Sequence, residues 1–159
     1  MSKHSSPSDQ PHLEGYPVAI RLPVQWGDQD AFGHVNNTVF FRWFESARIE
    51  YVRRVTRVDA PSPDSAGLIL ASIQCDFKRP VNFPDSIVAG ARVVQIGNSS
   101  MRMEHAVWSE GQQVLVAEGH STVVVFDYAA GRSRRVPKEM RAEIERLEAG
   151  EPPIEAGAT

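Results

Sequence analysis

The sequence predicts a single α+β domain in which one antiparallel sheet curls around a long helix. Three observations carry that expectation. Phe40, Trp43, Phe44, Ala47 and Tyr51 fall at i, i+3, i+4, i+7 and i+11, the spacing of one helix face. Four segments with strand-like patterning follow, with no second long helix between them. At 159 residues and 42% apolar composition the chain holds one real core but not two ordinary ones.

Taken in order, residues 1–15 are rich in Ser, Pro and His and read as a loose tail, as do residues 149–159, leaving 16–148 as the domain. Val18 to Trp26 alternates apolar and polar residues, and Pro23 assigns that strand to a sheet edge. The helix then starts near Asn37. Val39, Phe41 and Ile49 widen its apolar surface beyond one stripe, as in a helix enclosed by protein over much of its circumference. On its wet side Glu45 can pair with Arg48, and Glu50 with Arg53 and Arg54.

After the Pro-rich turn "APSPDSAG" come strands at Leu68 to Lys78, Ser86 to Ile96, Met101 to Trp108 and Gln113 to Tyr128. Turns at 97–100 and 110–112 separate the later ones. In the third of these strands Met101, Met103, His105 and Val107 occupy alternate positions and predict a dry face. Pro137 begins a short last helix with Met140, Ile144 and Leu147 on one side. A five-stranded antiparallel sheet must curl around the long helix, because nothing else in the chain is large enough to cover it.

Charge and composition exclude several functions. A net charge of -3 gives no basic face for a nucleic acid, although Arg132, Arg134, Arg135 and Lys138 form a local cationic patch. Such a patch suits a solvated turn or the phosphate of a small molecule. Cys75 is the single cysteine, which removes disulfides and Cys-based metal sites and fits a reducing compartment. The N-terminus lacks a signal-peptide core, and no run of about 18 apolar residues is present to span a bilayer. The expected location is cytoplasmic.

Chemistry concentrates ahead of the long helix, in "WGDQDAFGHVNNTVFFRWFESAR". The first turn of a helix carries unpaired N–H groups and about half a positive charge, so it attracts an anion or developing negative charge. Asn36 or Asn37 is a natural N-cap, and Gly33 permits a sharp approach of the chain. A carboxylate beside such a terminus supplies both requirements of attack on a carbonyl: activation of a nucleophile and a cradle for the oxyanion. The same residues also suit ordinary caps and Asx turns. Asp28, Asp30 and His34 admit a divalent ion, but a calcium loop fails, because Phe32 and Val39 stand where oxygen ligands belong. His34 alone also fits a hydrogen-bonded structural histidine, and His105 and His120 read as structural. No GxSxG elbow supports a serine nucleophile.

The stretch D-Q-D-A-F-G-H-V-N-N, Asp28 to Asn37, followed by an aromatic helix, resembles the signature of hot-dog fold acyl-CoA thioesterases of the 4-hydroxybenzoyl-CoA thioesterase type. The resemblance extends over about Val18 to Leu147 in element order, including "CDFKRPVNFPDSIV" and "FDYAAGRSRRVPKEMRAEI". It implies an acyl thioester hydrolysed to free acid and coenzyme A, with no cofactor or metal beyond the coenzyme A of the substrate. It implies Asp30 as catalytic carboxylate, the backbone amide near Asn37 as the group polarising the thioester carbonyl, and His34 as a further catalytic residue. It implies Gly33, Arg79, Ser99 and Ser100 as substrate-binding positions, and Phe40, Phe41 and Trp43 as lining of an acyl tunnel. Subunits joined edge to edge with active sites between them, as a homodimer or homotetramer, are implied as well.

That minimal set is chemically sufficient. A thiolate, with a thiol pKa near about 8.5, leaves without a strong general acid. An aspartate of ordinary pKa, about 3.9, carries charge at neutral pH and is a weak base, so direct attack by the carboxylate is a real alternative to activation of water. Two other readings remain: a non-catalytic acyl-CoA-binding module, and a thioesterase acting on acyl carrier protein. Acyl length and type are not encoded in any motif.

Overall fold

The computed structural model describes residues 11–57 and 67–151. The elements run β1 (Val18–Pro23), α1 (Asn37–Thr56), β2 (Leu68–Phe77), β3 (Ser86–Ile96), β4 (Ser100–Ser109), β5 (Val114–Asp127), β6 (Arg132–Ser133) and α2 (Lys138–Glu148). The strands form one antiparallel sheet in the order β1-β3-β4-β5-β2, with the two-residue β6 beside β5. The sheet therefore has six strands, not five. β6 was illegible because two residues carry no alternation. β1 lies at an edge, as Pro23 implied, and β2 forms the other edge. Of the predicted tails at 1–15 and 149–159, residues 1–10 and 152–159 lie outside the described residues, as does most of the Pro-rich turn. Residues 11–15 are described, and Leu13 pairs with Tyr16 against the outer face of β3 at Gly90.

α1 starts where the sequence placed it. Asn36 adopts extended backbone and its side chain accepts from the Thr38 N–H at 3.0 Å, which caps the first turn. Val39, Phe40, Trp43, Phe44, Ala47, Tyr51, Val52 and Val55 are buried. On β3, Ile87, Ala89, Ala91 and Val93 join the same core, and the two alanines keep that side of the sheet shallow for the helix. Ile49 is 46% exposed in this chain, so enclosure is less complete than its sequence implied. Glu50 pairs with Arg53 and Arg54 as expected. Glu45 and Arg48 form no ion pair within 4 Å among the described residues, although the Glu45 charge acts on Arg48; Arg48 is partly buried, with its Nη1 enclosed.

The C-terminal helix begins one residue later than predicted, with Pro137 as N-cap. Met140 and Ile144 are buried. One carboxylate oxygen, Glu148 Oε1, accepts from the Tyr51 hydroxyl at 2.6 Å and from the Val93 N–H at 2.7 Å. α2 is thereby bonded to α1 and to the sheet at a single atom.

The predicted dry face of β4 is present: Met101, Met103, His105 and Val107 are all buried. The His105 ring stacks on Phe44 at 4.9 Å with a 19° interplanar angle, and its Nε2 lies 2.9 Å from the Ser121 hydroxyl. Phe44 in turn lies over Gly119. A Cβ built at Gly119 would collide with the Gln74 carbonyl oxygen and stand 2.6 Å from Phe44 Cε2. Neither the strand pairing nor the ring can yield cheaply. Gly119→Ala is therefore expected to cost at least about 2 kcal/mol in urea unfolding.

Burial, and then the Arg48 charge, pull the His105 imidazole down to about 3. An unfolded histidine gains its proton below about 6.5, whereas the native one resists until far lower pH, so the unfolded state binds more protons in between. The contribution of His105 to stability is thus complete above that value and falls as pH drops, by about 1.4 kcal/mol per pH unit. Urea unfolding at stepped pH is expected to show this slope in wild type and a shallower one in His105→Gln.

Candidate active site

The chain between β1 and α1 folds as two small turns that separate its two acids. Trp26–Asp28 forms one turn of 3-10 helix. Asp28 is 7% exposed; it accepts from the Gln25 N–H at 2.8 Å and from Arg42 Nη2 at 3.0 Å, which ties the turn to α1. Asp28 is a structural cap and ion-pair partner, as the Asx reading allowed for one of these acids.

Asp30 opens the second turn. Its Oδ1 accepts from the Phe32 N–H at 2.8 Å, with the His34 N–H farther away at 3.4 Å. The backbone closes around it: Asp30 N–H donates to the His34 carbonyl, and the Gly33 N–H to the Asp30 carbonyl. Gly33 has φ +80°, a conformation that a Cβ would strain. Asp30 Oδ2 has no hydrogen-bond partner among the described residues.

His34 is exposed, and its Nδ1 lies 2.8 Å from Asn82 Oδ1. With Asn82 presenting its oxygen, Nδ1 holds the proton and Nε2 is left as an acceptor. Asn82 stands in "RPVN", and its position opposite His34 follows from the Val35 N–H donating to the Val81 carbonyl, a long-range contact that no local pattern reveals. Asn36 is spent on the cap. The next amide, Asn37 N–H, has no acceptor among the described residues.

Asp30, His34 and Asn37 all line one cleft of about 340 Å³, with Phe40 and Phe77 as apolar wall and Arg79 at its side. Four of the residues predicted for the site thus converge. Phe32, 86% exposed, and Lys78, 3.5 Å from Glu118, also line the cleft but were not among the predicted site residues. Gly33 lies behind, on a second cleft that shares Asp30 and is flanked by Trp26. Ser99 and Ser100 are not among the residues lining either cleft; they sit in the β3–β4 turn. Phe41 packs partly buried beside Phe77, whereas Trp43 is core. Among the described residues no three His, Cys, Asp or Glu side chains are grouped to hold a metal ion.

The curled sheet around α1, with an anion-seeking helix start at its rim, defines the hot-dog α+β class. Residues 24–144 match the Thioesterase-like superfamily, and the chain belongs to that family. A Thermus thermophilus thioesterase crystallised with coenzyme A and Zn is 35% identical, covers 88% of this chain and 99% of its own, and superposes with a TM-score of 0.76. The long-chain acyl-CoA thioesterase FadM of Escherichia coli is 20% identical over 82% of this chain and 98% of its own length. YsmA of Bacillus subtilis is 27% identical over 85 residues, 54% of this chain and 56% of that protein.

Proposed function

We propose that this chain hydrolyses acyl-CoA thioesters, with Asp30 as the reacting carboxylate and the Asn37 amide as the oxyanion donor. The observation that carries the reading is the pair of unpaired groups on one cleft: Asp30 Oδ2, an acceptor, and the Asn37 N–H, a donor at a helix N-terminus. A thioester carbonyl set between them is polarised by the amide and the helix dipole while the carboxylate draws a proton from water. Water oxygen joins the acyl carbon, the C–S bond breaks, and the departing thiolate takes up the proton. Direct attack by Oδ2 reaches the same products through an anhydride. The Oδ1 bond to Phe32 fixes the carboxylate without consuming its reactive oxygen. His34, held by Asn82, orients water or the thioester through Nε2.

Support for coenzyme A as the thiol comes from the Thermus relative, and Arg79, which forms no ion pair among the described residues, is available to its phosphates. A homodimer built on the exposed β2 edge also fits. Two β2 strands paired about a two-fold axis run antiparallel, so the Leu68 end of one meets the Phe77 end of the other. The 97–100 turn lies toward the Leu68 end, since Ser100 pairs with Val124 and Val124 with Ile69. Ser99 and Ser100 would then serve the cleft of the second copy. No helix among the described residues is long and apolar enough to cross a membrane, and a cytoplasmic location agrees with the free Cys75.

A panel of acyl-CoA thioesters with a thiol-detecting dye tests the reading. Asp30→Asn keeps an oxygen for the Phe32 N–H, so it is expected to fold normally by circular dichroism while kcat falls at least about 100-fold. Thiol release at the wild-type rate would remove Asp30 from the mechanism. His34→Ala is expected to lose roughly 10-fold in kcat/KM; an unchanged rate would return His34 to a structural role.

A further inference from the structure

The cleft that holds Asp30 has a closed end. Phe40 lines it yet is only 2% exposed, so its ring is the floor, and Trp43 backs that floor with ring centroids 4.9 Å apart. Phe77, the last residue of β2, meets Phe40 edge to face at 5.2 Å and reaches Phe41 at 6.2 Å. Because Phe40 and Phe41 follow one another on α1, a single ring from the edge strand shuts the seam between helix and sheet. Behind it lies filled core: Phe44 is fully buried, stacks on His105 and leaves no room for a Cβ at Gly119. Phe40 and Trp43, expected as walls of an acyl tunnel, close the cleft instead of lengthening it.

Volume then bounds what the cleft can take. Its 340 Å³ has room for about eleven groups at roughly 30 Å³ each. The thioester and the adjoining carbons of the thiol arm occupy about five, which leaves about six for the acyl chain. Resting on the thioesterase reading, we infer that Phe77 sets the length of the acyl chain and that the preferred substrates carry short acyl groups, of up to about six carbons. A longer chain has to part Phe77 from Phe40 and Phe41, giving up their edge contacts, or else leave its end in water. Each methylene that finds apolar cover multiplies affinity about fourfold, and one left in water contributes nothing.

The experiment compares kcat/KM for hexanoyl-CoA and decanoyl-CoA on the full chain. In wild type decanoyl-CoA is expected to be no better a substrate than hexanoyl-CoA. Phe77→Ala removes a phenyl ring, more carbon than separates the two chains, and is expected to raise the decanoyl-to-hexanoyl ratio at least about 10-fold. Phe77 is 42% exposed, so its loss opens no sealed cavity. Phe77→Leu is expected to raise the ratio less, and it decides the matter if the alanine variant does not fold. A wild-type preference for decanoyl-CoA, or a ratio unmoved in the folded variant, overturns the inference and leaves thioester hydrolysis standing. If neither compound is cleaved, hydrolysis itself is wrong, and calorimetry with the two non-cleavable thioether analogues decides the inference. Support is a decanoyl analogue that binds wild type no tighter than the hexanoyl one and gains at least about 10-fold over it in Phe77→Ala; a decanoyl analogue that binds wild type more tightly, or no gain in the variant, overturns it.

Discussion

The start of α1 has to sit at the rim of the sheet while the rest of that helix is buried against it, and every feature of the site depends on this division. Burial of Phe40, Trp43, Phe44, Ala47 and Tyr51 fixes the helix on β3. The N-terminal amides cannot follow it inside without acceptors, since a buried unpaired N–H is expensive. They are left at the edge, where Asn36 satisfies one and Asn37 stays open. The cleft is thus where the apolar packing of the domain runs out and the polar ends of the helix begin.

The two acids of the motif divide their duties. Asp28 is drawn into the protein by Arg42 and the Gln25 amide and holds the loop on α1. Asp30 is held by backbone alone, on one oxygen, and is otherwise uncommitted. A turn pinned from one side by an ion pair and from the other by the Val35–Val81 contact offers little freedom to the carboxylate between them. Such preorganisation suits a reaction in which charge appears on a substrate oxygen only briefly.

Much of this was legible in the sequence because it is local. Period two in β4, period 3.6 in α1, the Asn36 cap and the edge character of β1 all follow from neighbours in the chain. The convergence of Asp30, His34, Asn37 and Arg79 was indicated by the resemblance and by the chemistry of a helix terminus together. What escaped is what other elements decide. Asp28 and Asp30 differ by which one Arg42 reaches from α1. Asn82 meets His34 only because distant backbone pairs. The turn holding Ser99 and Ser100 lies off the cleft, a separation fixed by strand register.

Glu148 has one more consequence, for the newborn chain. Its carboxylate joins Tyr51, near the end of the first helix, to Val93 on β3. During synthesis α1 emerges early, with its apolar flank waiting for strands that have not been made. The latch that seals α1, sheet and C-terminal helix together closes only after the ribosome has delivered residue 148. Completion of the core therefore waits for the last helix, and the interval before it is when the aromatic helix most needs shelter from other chains.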